Sequence, residues 1–471
     1  MTETPLTGAE TVSWDLTDLY AGATDPLINA DLDACDDEAD ALDATYRGRI
    51  ASLTAAELAA LITRYEALIE RAFKVASFAS LNWTQDTQDP ARGALLQRIT
   101  ERGSRLEQKL VFLELELAAV ADETVAGWLA DPAVAHWQHW LETVRIYRPY
   151  LLSEPEEKIL SEKAVTGRNA WDRYFDEVHG AARYEFEGES LMRDQLLTNL
   201  YSPDRDRRRR AAETATAGFK TMQRTNTYVF NTVLADKASD DRLRGYPSWI
   251  SARNLGNQVD DATVEALVEA VTARYDIVAR YYRLKARLLG VDELFDYDRY
   301  APLPAADHFY TWEEARELVL TSYGRFHPQM AEIAGWFFEH DWIDAPPRPG
   351  KMGGAFSSGT VPSVHPYILL NYDGRPRDVM TLAHELGHGV HQKLSGAQGM
   401  LQMHAADLGR DSLGVRRNAG LPGNDGERGG PGCSAGHVDL EAGRLVRDGL
   451  PAGQHEPLRA RHPHRGARRA S

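Results

Sequence analysis

Apolar residues recur at three- and four-residue steps along residues 53–78, 93–121, 261–289 and 312–339, with few internal glycines or prolines. That period belongs to one face of an α-helix, so the chain is expected to be mainly α. Strand patterns are short. Residues 182–186 alternate modestly, and 353–356 followed by 363–372 reads as a turn and an apolar extended run. Within that run Tyr367-Ile368-Leu369-Leu370 could form a helical turn, but Pro366 before it and Asp373-Gly374 after it favour a strand. A last helical period follows at once. Asp378 can cap its start and Gly396 can follow its end, with Val379, Leu382, Leu386, Val390 and Leu394 as the apolar stripe.

At about 100° per residue, that stripe centres roughly opposite His384, His388 and His391. One face packs and the other looks into a cleft. The polar face carries His384-Glu385-Leu386-Gly387-His388, which matches H-E-x-x-H. Residues four apart stand one above the other on a helix, so two imidazole nitrogens can reach one metal ion, and Glu385 beside them can accept a proton from a water. The bland alternative is an amphipathic helix with a polar histidine face. His391 shares the ligand face but falls three residues after His388, where a metzincin would instead need histidine at the position of Leu394; a cleft histidine or one supporting a ligand is the better reading.

Composition narrows the setting. With 53 basic and 70 acidic residues the formal charge is -17, which disfavours nucleic acid as a partner. The run Arg207 to Arg210 is flanked by Asp204, Asp206 and Glu213 and reads as a solvated helix face, as does the acidic stretch from Asp31 to Asp43. Cys35 and Cys433 are the two cysteines, so neither a disulfide framework nor a cysteine metal site is available, and any metal is held by histidine and carboxylate. No apolar run approaches membrane-spanning length, and residues 1–30 lack a basic start followed by an apolar block; a cytoplasmic protein without a membrane partner is expected. At 471 residues two or three domains are plausible, with a soft boundary near residue 115 and no internal repeat.

The chain resembles the oligoendopeptidase F group of the thimet-oligopeptidase-like zinc peptidases. The likeness runs from Trp14-Asp15-Leu16 to about Met403. It takes in Leu151-Leu152-Ser153-Glu154-Pro155-Glu156-Glu157-Lys158, Lys351-Met352-Gly353-Gly354-Ala355-Phe356, and the block from Asn371 through His391. The resemblance implies a two-lobed helical metallopeptidase with a deep channel and a small β-element beside the H-E-x-x-H helix, cleaving short peptides with one Zn2+ per chain. By the same resemblance His384 and His388 are zinc ligands, Glu385 is the general base, and Gly354, Ala355 and Phe356 belong to an extended segment that pairs with peptide. His365, next to Pro366 beside that segment, is either a substrate contact or a surface histidine. The implied division is an N-terminal helical region to residue 115, a catalytic region over 116–405, and a remainder of different character.

The family's pattern breaks where the third zinc ligand, a glutamate on a following helix, is expected. Residues 406–414 read Ala406-Asp407-Leu408-Gly409-Arg410-Asp411-Ser412-Leu413-Gly414, without glutamate. From residue 401 to 471 there is no Lys, Ile, Phe, Tyr or Trp, a composition expected of a disordered tail. Asp411 is the nearest carboxylate and a candidate rescue ligand, although it is shorter than glutamate and set among glycines. Residues 406–420 can be back-translated so that reading one nucleotide later gives Pro-Thr-Leu-Ala-Glu-Thr-Ala-Ser-Val-Phe-Gly-Glu-Met-Leu-Ala, which looks like the family's ligand helix. A frameshift at or just before Ala406 is therefore expected, and with it a truncated, impaired enzyme. A noncatalytic helical peptide-binding protein and a structural protein with an accidental motif are the other readings. Resequencing codons 400–420 should reveal an insertion or deletion that restores the glutamate frame; nucleotides incompatible with that frame would sink the idea.

Overall fold

The computed structural model describes residues 6–303 and 309–403, and the chain is mainly helical, as its periodicity predicts. Asp411, the expected frame change and the expected tail lie outside the described residues. An antiparallel block opens the fold: α1 (Pro26–Tyr46), α2 (Ala55–Gln85) and α3 (Pro90–Ala119), followed by α4 (Asp122–Leu129) and α5 (Gln138–Ile146). Local chemistry sets the boundaries. Thr54 and Glu57 form a reciprocal capping box at the start of α2, and Asp89 caps α3 with Pro90 in its first position. The acidic stretch in α1 is only half solvated. Leu32, Cys35, Ala39 and Leu42 are buried against α2 and α3, while Asp36 and Asp40 face Lys109 and Glu38 pairs with Arg64.

The middle of the chain comprises α6 (Glu154–Thr166), α7 (Arg168–Ala181), a hairpin of β1 (Tyr184–Phe186) and β2 (Glu189–Leu191), then α8 (Arg193–Thr198), α9 (Arg205–Thr221), α10 (Gln223–Arg244), α11 (Ser251–Gly256), α12 (Asp261–Thr272) and α13 (Tyr275–Leu289). Glu187 and Gly188 both have positive φ, 54° and 89°, which suits a two-residue hairpin turn. The arginine run corrects its expected role at one position. Arg208 is buried and donates to the fully buried Asp298, which Arg205 also contacts, whereas Arg207 and Arg210 meet Glu187 at the surface. The pattern over 261–289 splits into two helices at Ala273 and Arg274, where no proline or glycine marks a break.

The last block holds α14 (Trp312–Phe326), α15 (Pro328–Glu339), β3 (Ile343–Asp344), β4 (Phe356–Ser358), β5 (Tyr367–Leu369) and α16 (Pro376–Ser395). The expected single helix over 312–339 is divided by Pro328, which cannot continue α14; His327 turns extended and its ring accepts from the Gln329 N–H. The sheet order is β3-β5-β4, with β3 parallel and β4 antiparallel to β5, so β4 is an edge strand.

Two cores bear on a division at residue 115. That position lies inside α3, and the core formed by α1 and α2 continues through Leu117, Trp128 and Trp140. Met400 and Met403, beyond α16, return to this core. The other core joins Trp14, Leu16, Phe78 and Leu95 to Phe337, Tyr367, Leu382 and Leu386. Residues 7–20 thread through it: the Ala345 N–H donates to the Val12 carbonyl (3.0 Å), the Tyr367 hydroxyl donates to the Asp15 carbonyl (2.8 Å), and Trp14 packs edge-on against Tyr367. Among the described residues no helix is long and apolar enough to cross a membrane.

Asp344 and Lys351 fix the turn between β3 and β4. Both side chains are fully buried; the Lys351 ammonium reaches the Asp344 carboxylate at 2.5 Å and the Pro346 carbonyl at 2.9 Å, and Arg348 clasps both Asp344 oxygens at 2.7 Å. Burial pushes Lys351 down to about 8, while these donors hold Asp344 below its ordinary value against the opposing effect of burial. Asp344→Ala should leave Lys351 buried without its carboxylate and lower stability by about 3–5 kcal/mol, read from the denaturant midpoint at unchanged m. Asp344→Leu combined with Lys351→Met should cost less than the single variant.

Candidate active site

Helix α16 carries the site, and its start is set by sequence. Pro376 occupies the first position, and the Asp378 carboxylate reaches back to accept from the N–H groups of Asp373 (3.0 Å) and Arg375 (2.9 Å). Asp378 thus sits inside the first turn rather than before it. Val379, Leu382, Leu386 and Val390 are buried as the stripe predicts, but Leu394 is half exposed, and Gln392 and Ser395 take its place on the packed face.

The opposite face brings the two histidines together. His384 Nε2 and His388 Nε2 stand 3.1 Å apart, with their rings 4.6 Å apart and perpendicular. Two nitrogens converging on one point form half of a first-row metal's ligand set, and imidazole suits zinc. Glu385, between them in sequence, is buried. Among the described residues no third His, Cys, Asp or Glu joins the cluster. His391 is exposed on the same helix.

Glycines let the supporting helices touch α16 directly. A Cβ on Gly389 would lie 2.5 Å from Cζ of the buried Phe337, and one on Gly387 would lie 3.3 Å from the Tyr323 hydroxyl. That hydroxyl donates to the Ala383 carbonyl, immediately before His384. Burial first, and then the charge of nearby Glu385, push the Tyr323 phenol far above its usual range, so it stays a donor. Sequence reasoning missed Tyr323, Phe337 and Gln392; the two glycines spaced within an otherwise helical pattern were the available signal.

Gly354, Ala355 and Phe356 lead into edge strand β4, which packs against α16. Gly354 has φ +79°, a conformation that side chains disfavour. The Asn371 amide donates to the carbonyls of Met352 (3.0 Å) and Gly354 (2.8 Å), and Phe356 lies beside Trp14. Gln392, one turn beyond His388, accepts from the Ser357 hydroxyl (2.8 Å) and donates to the Ser357 carbonyl (3.2 Å).

His365 is not a surface residue. It stacks on Trp342 with centroids 3.8 Å apart, lies against Tyr367, and places Nε2 3.0 Å from the Asp18 carboxylate and Nδ1 3.1 Å from the Pro366 carbonyl.

With fold and site in view, comparison with known proteins supplies the family. The model for peptidase family M3 matches residues 198–405, and that for oligopeptidase F matches 116–184. Those two stretches are peptidase family M3 and oligopeptidase F domains, and the chain is similar to the oligoendopeptidase F proteins. It is 25% identical over 394 residues to an oligoendopeptidase F homolog of Lactococcus lactis, covering 81% of this chain and 64% of that protein. To oligopeptidase PepF of Bacillus subtilis it is 25% identical over 360 residues, covering 74% and 52%. The chain thus spans less than two thirds of the length of these relatives. In fold it is similar to PZ peptidase A solved with an inhibitor (TM-score 0.62, 17% identity, 79% of this chain and 63% of that one) and to oligoendopeptidase-F from Enterococcus faecium (0.53, 19%, 67% and 59%).

Burial lowers the proton affinity of His365 below the ordinary value of 6.5. The unfolded chain then binds the proton more readily, so this residue's contribution to stability is complete above about pH 6.5 and declines as pH falls toward the lowered value. Unfolding midpoints measured between pH 7 and 5 should therefore fall less steeply in His365→Gln than in the parent. Equal slopes would contradict this account of His365.

Proposed function

We propose that this chain is a zinc-dependent oligoendopeptidase by descent and design, with His384 and His388 as two ligands of one Zn2+ and Glu385 as general base. The observation that carries the reading is the convergence of the two Nε2 atoms on a helix that also bears a buried carboxylate, within the family-matched region. Zinc bound there would supply Lewis acidity, polarising a peptide carbonyl and acidifying water. Glu385 takes a proton from the attacking water as its oxygen adds to the carbonyl carbon. As the C–N bond breaks, Glu385 returns that proton to the leaving amine. The backbone edge of β4, entered through Gly354, Ala355 and Phe356, pairs with an extended peptide and orients it. His365 supports that edge from behind, through its contacts with Trp342 and Tyr367, without touching peptide.

Short peptides are the assigned substrates, and nucleic acid is not a partner of so acidic a chain. A cytoplasmic setting accords with the buried free thiol of Cys35. The third ligand is the weak point. Residues 406–414 hold no glutamate where the resemblance expects one, and Asp411, its candidate replacement, is a shorter carboxylate; we assign this chain reduced turnover on that account.

Elemental analysis and a quenched fluorogenic peptide test the proposal together. The parent should bind one zinc per chain and show slow, chelator-sensitive hydrolysis; Glu385→Gln should keep the metal and lose activity by on the order of a hundredfold or more. His388→Ala should lose the zinc, and unchanged metal content in that variant would reject the assigned site. Peptide binding without hydrolysis by the zinc-loaded parent would establish the noncatalytic peptide-binding reading instead.

A further inference from the structure

The open edge of β4 has an internal stop. The N–H groups of Ile368 and Leu370 donate to the Trp342 and Asp344 carbonyls on β3, at 2.9 and 2.8 Å. Backbone groups alternate sides along a strand, so Tyr367 and Leu369 face β4, where their partners are Ser358 and Phe356. The N–H and C=O of Ser357 therefore point away from the sheet, to the side on which a further strand could pair. That carbonyl is already taken. The Gln392 amide, on a side chain buried in α16, donates to it at 3.2 Å while its oxygen accepts from the Ser357 hydroxyl at 2.8 Å. The next position along the same edge is Ala355, two residues back.

We propose that Gln392 is a specificity-determining and positioning residue: by occupying the Ser357 carbonyl it ends the peptide-pairing edge at Ala355 and ties that edge to the helix one turn beyond His388. The inference rests on the reading of β4 as the strand that pairs with peptide. Its consequence is a fixed register. A peptide extended along β4 finds its backbone partner at Ala355, and residues that would lie beyond, opposite Ser357, gain no hydrogen bond from that carbonyl. The Gln392 link also transmits any shift of β4 to the turn that carries His388. Replacing Gln392 frees one acceptor on the edge and lengthens the pairing segment by two residues.

Fluorescein-labelled, alanine-rich peptides of increasing length, titrated by anisotropy against the full zinc-loaded chain, test this. Glu385→Gln is placed in every protein so that cleavage does not intervene. With Gln392 present, affinity should rise with length and level off. With Gln392→Ala, and with Gln392→Met, which keeps the volume but offers no amide, the levelling point should move two residues longer and the longest peptides should bind about fivefold tighter. The same levelling point in parent and variants, or a weakening uniform across all lengths, would overturn the proposal while leaving the peptide-pairing reading intact. No binding at any length by the Gln392-containing protein would overturn that reading, and this inference with it.

Discussion

Helix α16 is held in one orientation because other helices press on it without intervening side chains. Phe337 on α15 sits where a Cβ of residue 389 would be, and the Tyr323 hydroxyl on α14 reaches the Ala383 carbonyl past Gly387. Leu382 and Leu386 are completely buried on the packed face. A helix clamped at this proximity cannot rotate to hide its histidines, since turning it would bring a side chain where only hydrogen fits. The orientation of His384, Glu385 and His388 is therefore a property of the packing beneath them as much as of their own spacing.

The β-element beside α16 is held by a different kind of force. Its strands are too short to specify themselves, and their positions come from buried charge and from a remote segment. Asp344 gathers Lys351 and Arg348, which fixes the turn leading to Gly354, and residues 12–15 bond to the backbone of 341–345 with Trp14 against Tyr367. This ties residues 7–20 to the core on which α16 packs. It also makes a division at residue 115 physically awkward, because the helix containing that position is continuous and its flanking residues share one core.

His384 and His388 lie on one helix and arrive as a unit; were they to hold a metal, a further ligand would have to come from another element. Three side chains around the pair act on backbone carbonyls: Tyr323 on that of Ala383, Gln392 on that of Ser357, Asn371 on that of Gly354. Such contacts fix where β4 stands relative to the histidines. Tyr323 and Gln392 contribute no distinctive spacing to the sequence, which is why motif reading passed over both.

Sequence by itself determined the helical class, the apolar stripe of α16, the strand at Tyr367 to Leu369 and the pairing of His384 with His388, because each depends on spacing within a single element. It erred where long-range partners decide. Leu394 reads as core by period yet is half exposed, Arg208 reads as solvated yet is buried on Asp298, and His365 has no local signature of the stack on Trp342 that encloses it. Tertiary structure alone decided these, together with the parallel pairing of β3 and β5 and the threading of residues 7–20. The physical reason is that burial and charge pairing are set by what arrives from distant parts of the chain. Asp298 is ninety positions from Arg208 and Asp18 is 347 from His365, and no local period encodes either meeting.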